Sequence, residues 1–567
     1  MFPFTRAYQE EKGRAFWVIL FLLGMLACLV SSVIILSLVP PVSKDALVHH
    51  LALPRLYLIH GDIYEIPFMP FSYYPMNLDF LYMIPLYFGN DIAPKFIHFA
   101  FALLTAGLIF YYLRNRANIL YGLLGAILFL SVPIIIKLST TVYIDLGEIF
   151  FSFAALVFLL EWVRSGFQVR FLIFSGILCG LALGTKYNGL ITLFLLTLFI
   201  PFLYSRHHKD IGAGFFKPVG FGVLFLLISL LIFSPWMIRN YHWKNNPIYP
   251  LHNKLFNPPK TISKSIPSHD NIQKQNQGFF TYRSMIYHES GWQIVLLPLR
   301  IFFQGRDGDP QYFDGKLNPF LLLLPFFAFV GPRGEPEYLR CEKKIVLVFA
   351  VLFLCFGLFS AVMRIRYISP IIPPLVILSV FGVEKLIGVF RQSRSKAVRW
   401  AGLALVTLIL IFTLSLNTNY IIGQFKYVAP FRYLDGSVNR DKYIAGYRPE
   451  YPAQKYINDN LDSDAKLLFI FLGKRGYYCD REYVFDIGIL ERLIKSSESP
   501  EDILNGLDKQ GITHILIYYH LFERWMSDNF SEEKLFLTQR FFREHVELLF
   551  HENGFGVLNL RDSSLEG

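Results

Sequence analysis

Long apolar runs separated by short polar and basic stretches fill the first three quarters of the chain. A membrane crossing needs roughly 17–25 apolar residues. On that measure the runs at 16–39, 92–113, 119–137, 146–163, 171–185, 188–204, 217–237, 318–331, 345–362, 367–389 and 399–418 predict about eleven spanning helices. The runs at 171–185 and 318–331 are short for a full crossing. The stretch Tyr74 to Phe88 is apolar too, but it holds Pro75, Asn77, Asp79 and Pro85 and predicts a re-entrant or interfacial segment. The first run follows a basic flank, exceeds a signal-peptide core in length and is not followed by a small-x-small cleavage site, so it predicts a retained first helix.

The spacing of the basic residues orients these runs. With the N-terminus cytoplasmic, the inner loops carry Arg114 and Arg116, Arg164 and Arg170, Arg206 and Lys209, Arg333 to Lys344, and Arg391 to Arg399, which is the positive-inside pattern. The same parity places outside the stretch 40–90, the approach to Asp145, the long segment 238–317 and everything after Asn417. Counting 74–88 as a crossing would put the Arg114 and Arg391 loops on opposite sides, and that count is rejected. Residues 1–419 therefore predict a transmembrane domain with outer loops 40–90 and 238–317, and residues 420–567 an extracytoplasmic domain.

Composition agrees with this class. The chain is 54% hydrophobic and 17% charged, with mean hydropathy +0.41, too apolar for a protein whose whole surface meets water. The net charge of +11 resides in the loops, so it indicates membrane topogenesis and not a nucleic-acid partner. Of five cysteines, Cys28, Cys179 and Cys355 lie inside apolar runs, and no disulfide framework or CxxC site is encoded.

The tail changes character, with charges throughout and strand-like runs at 466–472, 483–486 and 514–519. Ser499-Pro500-Glu501-Asp502 has a capping serine, proline at the first helical position and acids in the first turn, and Ser531-Glu532-Glu533 opens a second helix in the same way. Alternating strands and helices predict a small α/β domain. It shows no Gly-rich phosphate loop, triad spacing or metal-ligand cluster, and it reads as a lid or acceptor-docking module.

Ionisable groups at membrane depth or at helix ends are costly and mark candidate chemistry. Asp45 follows the first run, before His49 and His50; Asp145 begins the fourth; both could instead cap helices. Lys186, in Gly184-Thr185-Lys186-Tyr187, falls outside, where topogenesis would not place a cation, although it could snorkel to the interface. Arg239 and Asn240 end the seventh run, and Arg364 and Arg366 precede Pro370. Cations beside the headgroup layer can hold a lipid phosphate, and a carboxylate beside them can take a proton from a hydroxyl. Such a set suits sugar transfer from a lipid phosphate, and equally an anion transporter or a lipid-binding scaffold.

The order Asp45, Asp145, Gly-Leu-Ala-x-Gly-Thr-Lys186, Pro235-Trp-x-Ile-Arg239-Asn240 and Asn246-Pro247-x-Tyr249-Pro250 resembles bacterial GT-C glycosyltransferases, relatives of protein O-mannosyltransferases and of the lipid A aminoarabinose transferase. The stretch Asp45-Ala-Leu-x-x-His50-Leu-Ala-Leu-Pro54-Arg-Leu-Tyr57 through Lys95 and His98, and Arg364-x-Arg366-Tyr367, are similar to the same group. The resemblance implies a polytopic α-helical enzyme of the bacterial inner membrane. It would move a sugar, with inversion, from a polyprenyl-phosphate donor to a glycan, lipid or protein acceptor on the outer face. It implies Asp45 and Asp145 as catalytic acids, Lys186, Arg239, Arg364 and Arg366 on the donor phosphate, and His49, His50, Tyr57 and Asn240 near substrate. Many relatives carry Asp-Glu in the first loop, whereas Ala46 follows Asp45 here. If a divalent metal ion takes part, Asp45 and Asp145 are its candidate ligands. Two other readings compete. A transporter or flippase would use the same charges as an ion pathway, but no paired inverted repeat is evident. A polymerase or ligase of another membrane fold would display Arg and His in large outer loops, as His252, His269, Arg283 and His288 partly do.

Overall fold

The computed structural model describes residues 3–207, 216–258, 278–330, 335–358 and 363–561; Lys209, His269 and Arg333 lie outside them. The chain divides into two compact units. The first comprises residues 1–38, 74–81 and 95–429, the second residues 39–73, 82–94 and 430–567.

Each apolar run of the first unit is helical. The helices are α1 (Pro3–Ser37), α2 (Ala93–Arg116), α3 (Ile119–Ser131), α4 (Pro133–Ser139), α5 (Asp145–Arg164) and α6 (Val169–Thr185). After them come α7 (Gly189–His207), α8 (Phe216–Lys244), α9 (Phe320–Phe327), α10 (Glu337–Leu358), α11 (Ile372–Arg391) and α12 (Lys396–Val428). Among the described residues, seven helices are long and apolar enough to cross a membrane, and eight if the bent pair α3–α4 is one span. The pair bends by 68° at Val132, because a residue before proline is pushed out of the helical region. The Ile134 N–H, which the break frees, donates to the Lys316 carbonyl at 3.0 Å. Three runs fall short of the span criterion: α6 has 17 residues, α9 has 8, and α10 carries Glu342, Lys343 and Lys344 near its start.

The apolar stretch 74–88 forms a helix only over Asn77–Tyr87, 11 residues, or about 16 Å at 1.5 Å per residue. That is half of a ~30 Å hydrocarbon core. The chain leaves the second unit at residue 74 and is back in it at 82, so this segment does not cross the bilayer.

Helix ends that parity assigns to one face are joined by buried charges. Arg116, at the end of α2, contacts Glu342 at the start of α10 (2.5 Å) and Glu161 at the end of α5 (3.0 Å), and the Tyr112 hydroxyl donates to the same Glu342 carboxylate. Deeper in the bundle the Asn318 amide donates to Asn417, whose own amide donates to Ser131, so the polar atoms there satisfy one another.

The second unit is an α/β body. Its sheet has the order β2-β1-β3-β5-β4, with β1 (Lys466–Ile470), β2 (Glu482–Val484) and β3 (His514–Tyr518) parallel, and β4 (Val546–Glu552) and β5 (Phe555–Leu560) antiparallel. Its helices are α13 (Tyr451–Asn460), α14 (Ile487–Ser496), α15 (Pro500–Asp508), α16 (Tyr519–Asn529) and α17 (Glu532–His545). Ser499 and Asp502 form the capping box of α15. One sheet face buries Leu468, Ile470, Ile515 and Ile517 under α14–α17. The other buries Leu467, Phe469 and Leu516 with α13, and Leu56 and Phe68 of the first loop pack there. That loop is further fixed to the tail by Tyr478 Oη on the Pro41 carbonyl (2.7 Å), Arg448 Nε on the Val42 carbonyl (2.5 Å), the Arg55–Asp480 ion pair and the Arg440–Asp91 ion pair (2.5 Å). The first loop and the tail are thus parts of one compact body.

Candidate functional site

Five helix ends of the first unit converge around Lys186. The α6 helix stops at Thr185, whose hydroxyl donates back to Leu181 at 2.9 Å. Lys186 is then extended, and its N–H closes the last turn on Ala182. The side chain reaches the start of α5, where Nζ lies 2.6 Å from Asp145 Oδ1 and 3.6 Å from a Glu148 oxygen. Asp145 and Glu148 are 1% and 0% exposed, and one turn of helix separates them, so both carboxylates face one ammonium. Neither Glu148 oxygen has a hydrogen-bond partner, and Lys186 is its counter-ion. Asp145 makes no capping bond to α5; its partner is the lysine.

His98 sets the position of Asp145. The Leu146 N–H donates to His98 Nε2 at 3.0 Å, which puts the ring proton on Nδ1, facing the carbonyls of Leu138 (2.9 Å) and Thr141 (3.0 Å). Arg366 closes the other side. Its guanidinium lies over the Tyr143 ring at 5.0 Å and is near enough to act electrostatically on both Asp145 and Lys186. The Lys186 ammonium itself lies 5.0 Å from the Tyr367 ring centre, and Asn188 donates to the Tyr367 carbonyl at 2.9 Å, tying the start of α7 to the segment before α11.

The Pro235-Trp-x-Ile-Arg-Asn motif supplies the fifth end. Asn240, fully buried, donates to Tyr187 Oη (3.1 Å) and to the Tyr249 carbonyl (3.2 Å). Arg239 stacks between Trp236 (4.6 Å) and Trp243 (5.0 Å) and donates to the Tyr74 carbonyl at 3.0 Å. Trp236 Nε1 donates to Asn77 Oδ1 at 2.9 Å. Asn77 lies so close to α6 that a Cβ on Gly184 would come within 2.3 Å of its amide nitrogen. Gly180 admits α8 equally closely, with Ser229 O at 2.6 Å from such a Cβ.

Arg364 lies in a neighbouring cluster. It faces Asp314 at 3.4 Å, and Asp314 also takes Lys137 Nζ at 2.9 Å and the Gly308 N–H. Lys137 bridges to Asp307 (3.0 Å), which accepts from Tyr420 Oη. Although burial raises the Asp314 pKa, Lys137 and Arg364 bring it below the usual carboxylate range.

Asp45, His49, His50 and Tyr57 belong to the second unit. Asp45 is half-buried and precedes the turn Ala46–His50 without a side-chain capping bond to it. His49 stacks on Phe71 at 4.3 Å and is 4.0 Å from the His50 ring; Tyr57 is buried edge-on to Tyr64. The first unit thus brings Asp145, Lys186, Arg366, Arg239 and Asn240 into one connected set, with Arg364 in the adjoining one. Glu148, His98 and Tyr187 had no assigned role in the sequence. A second acid at three-residue spacing after Asp145 is the sole advance signal for Glu148.

Residues 55–244 match the family model of dolichyl-phosphate-mannose-protein mannosyltransferases. That range holds Asp145, Lys186, Arg239 and Asn240. The structure matches ArnT from Cupriavidus metallidurans in the apo state, with TM-score 0.57 and 15% identity over 98% of this chain and 99% of that one. The chain has the GT-C fold. ArnT from the same organism bound to undecaprenyl phosphate matches at TM-score 0.55 and 14% identity, covering 96% and 99%. No curated protein matches the sequence. The GT-C fold and the family match together account for a multi-pass membrane chain that also carries a sheet-bearing tail domain.

Proposed function

We propose that this protein transfers a sugar from a polyprenyl-phosphate donor to a cell-envelope acceptor, a glycan, lipid or protein, at the outer face of the bacterial inner membrane, with inversion. The observation that carries this reading is the convergence of Lys186, Arg366, Asp145 and Glu148 at helix ends within a bundle of apolar spans. Fixed cations of this kind suit a phosphate that gains charge as it leaves. A glycosyl phosphodiester carries one negative charge and the released polyprenyl monophosphate carries two, so Lys186 and Arg366 would hold the leaving group more strongly at the transition state than in the donor. Arg239 and Arg364 extend the donor side. Asp45 is the base: it takes the proton of the acceptor hydroxyl as that oxygen bonds to the anomeric carbon and the carbon–phosphate-oxygen bond breaks on the opposite face. His49, His50, Tyr57 and Asn240 are further candidates for substrate contact. ArnT, which shares the fold, has been captured with undecaprenyl phosphate, and this supports the same carrier class here.

We assign no step to a divalent metal ion: the Lys186 ammonium, 2.6 Å from Asp145 Oδ1, supplies the positive charge at that carboxylate. The test is transfer of radiolabelled sugar from a polyprenyl-phosphate donor by purified protein in lipid. Asp45→Asn abolishes transfer while leaving the protein inserted and folded; full activity in that variant refutes the assignment of the base. A transporter would instead move lipid or anion across sealed vesicles without forming a new glycoside.

A further inference from the structure

The tail carries a second constellation that the transfer reaction does not use. His545, the last residue of α17, is 5% exposed, and neither of its ring nitrogens has a hydrogen-bond partner. Leaving such a group dry costs about 1–3 kcal/mol. Its Nε2 lies 3.6 Å from a carboxylate oxygen of Glu501, in the first turn of α15, too far for a hydrogen bond. Glu544 joins them, and one ligand atom from each of the three lies within 4.8 Å of the others. Among the described residues this is the sole grouping of three such ligands.

We propose that the second unit binds one divalent transition-metal ion of the zinc class through His545, Glu501 and Glu544. One imidazole and two carboxylates select a borderline ion over magnesium or calcium, which prefer all-oxygen shells. Bonds of about 2.0–2.2 Å require the ligand atoms to close by roughly 1 Å. The two glutamates can supply that movement, being 55% and 31% exposed, while the buried histidine stays fixed against Phe541. Glu544 now faces Arg540 (3.1 Å) and Arg543 (3.4 Å). These are exposed pairs, worth under about 1 kcal/mol each, and a carboxylate has lone pairs to spare for a metal. Three protein ligands leave a position for water. The ion would pin the start of α15 to the end of α17, two helices that pack together although Glu501 precedes Glu544 by 43 residues and His545 by 44.

Full-length protein in detergent is stripped with chelator and dialysed against zinc with excess magnesium, and bound metal is counted by mass spectrometry. Wild type retains one more zinc per chain than Glu501→Gln or His545→Asn, and zinc raises the unfolding temperature of wild type but not of either variant. Glu501→Gln alters an exposed side chain and leaves the fold intact, so it remains informative if His545→Asn unfolds. Equal zinc counts in wild type and Glu501→Gln, or no zinc in either, overturn the proposal.

Discussion

Lys186→Met separates the structural role of one ammonium from its proposed role on the donor phosphate. The substitution keeps the unbranched side chain out to Cε and removes the ammonium, leaving Asp145 at 1% exposure without the partner now 2.6 Å away. Breaking a buried pair by deleting one member costs about 3–5 kcal/mol, because the remaining charge is stranded. Arg366 stays close enough to offset part of this, so we expect about 3 kcal/mol, seen as a fall of several degrees in unfolding temperature. The double variant Asp145→Asn/Lys186→Met removes the stranded Asp145 charge but still deprives Glu148 of its counter-ion, so it regains only part of that loss. Donor affinity follows a different course. A charged hydrogen bond to phosphate is worth about 1.5–3 kcal/mol, so donor binding weakens about 10- to 150-fold in the single variant, acceptor binding changes far less, and the double variant does not recover. Scanning fluorimetry in detergent and titration with a polyprenyl-phosphate donor read the two quantities separately. If Lys186→Met is as stable as wild type, the ion pair is not what holds Asp145. Unchanged donor affinity would remove Lys186 from the phosphate side.

Three further outcomes test other parts of the structure. Gly184→Ala puts a methyl 2.3 Å from the Asn77 amide and should cost about 1–3 kcal/mol with loss of transfer; wild-type stability would show that Asn77 yields freely. Glu289, although burial raises its pKa, is held below 4.5 by hydrogen bonds from Arg283 and Arg300. A depressed carboxylate stabilises the fold above its ordinary value and loses that contribution as pH falls through the folded one. Melting temperature should therefore drop in acid below about pH 4.5 in wild type and less steeply in Glu289→Gln; parallel curves would contradict this. His98→Ala leaves the Leu146 N–H without its acceptor; transfer should fall by at least about tenfold in kcat with little change in KM, and an unchanged kcat would make His98 a packing residue only.

Most of the architecture was legible in the sequence because lipid imposes a simple requirement on a spanning helix. Each of the eleven apolar runs is helical, including α6 and α9, whose shortness was visible beforehand. The strands at 466, 483 and 514 and the cap at Ser499 follow from local chemistry. Ser531 opens α17 as expected, yet its side chain makes no capping bond. Strands β4 and β5 were not anticipated, since charged residues such as Glu547 and Glu552 on a half-exposed edge blur the strand pattern. The pairing of Lys186 with Asp145 depends on how two helix ends align across 41 residues, which no local pattern encodes. The same holds for His545 and Glu501: the tail shows no metal-ligand spacing, and folding alone brings the three ligands together.

The second unit is assembled from chain segments that emerge at very different times. Residues 39–73 and 82–94 leave the ribosome long before Pro430, a delay on the order of tens of seconds at ordinary synthesis rates. Until then Leu56 and Phe68, which pack on the sheet, and Asp91, which pairs with Arg440, have nothing to dock on. The first loop therefore has to stay soluble and unaggregated while ten further apolar runs are inserted. The tail cannot be trimmed as an appendage: any truncation before β1 strands the segment that bears Asp45, and its loss should appear first as failed maturation and degradation, upstream of any defect in catalysis.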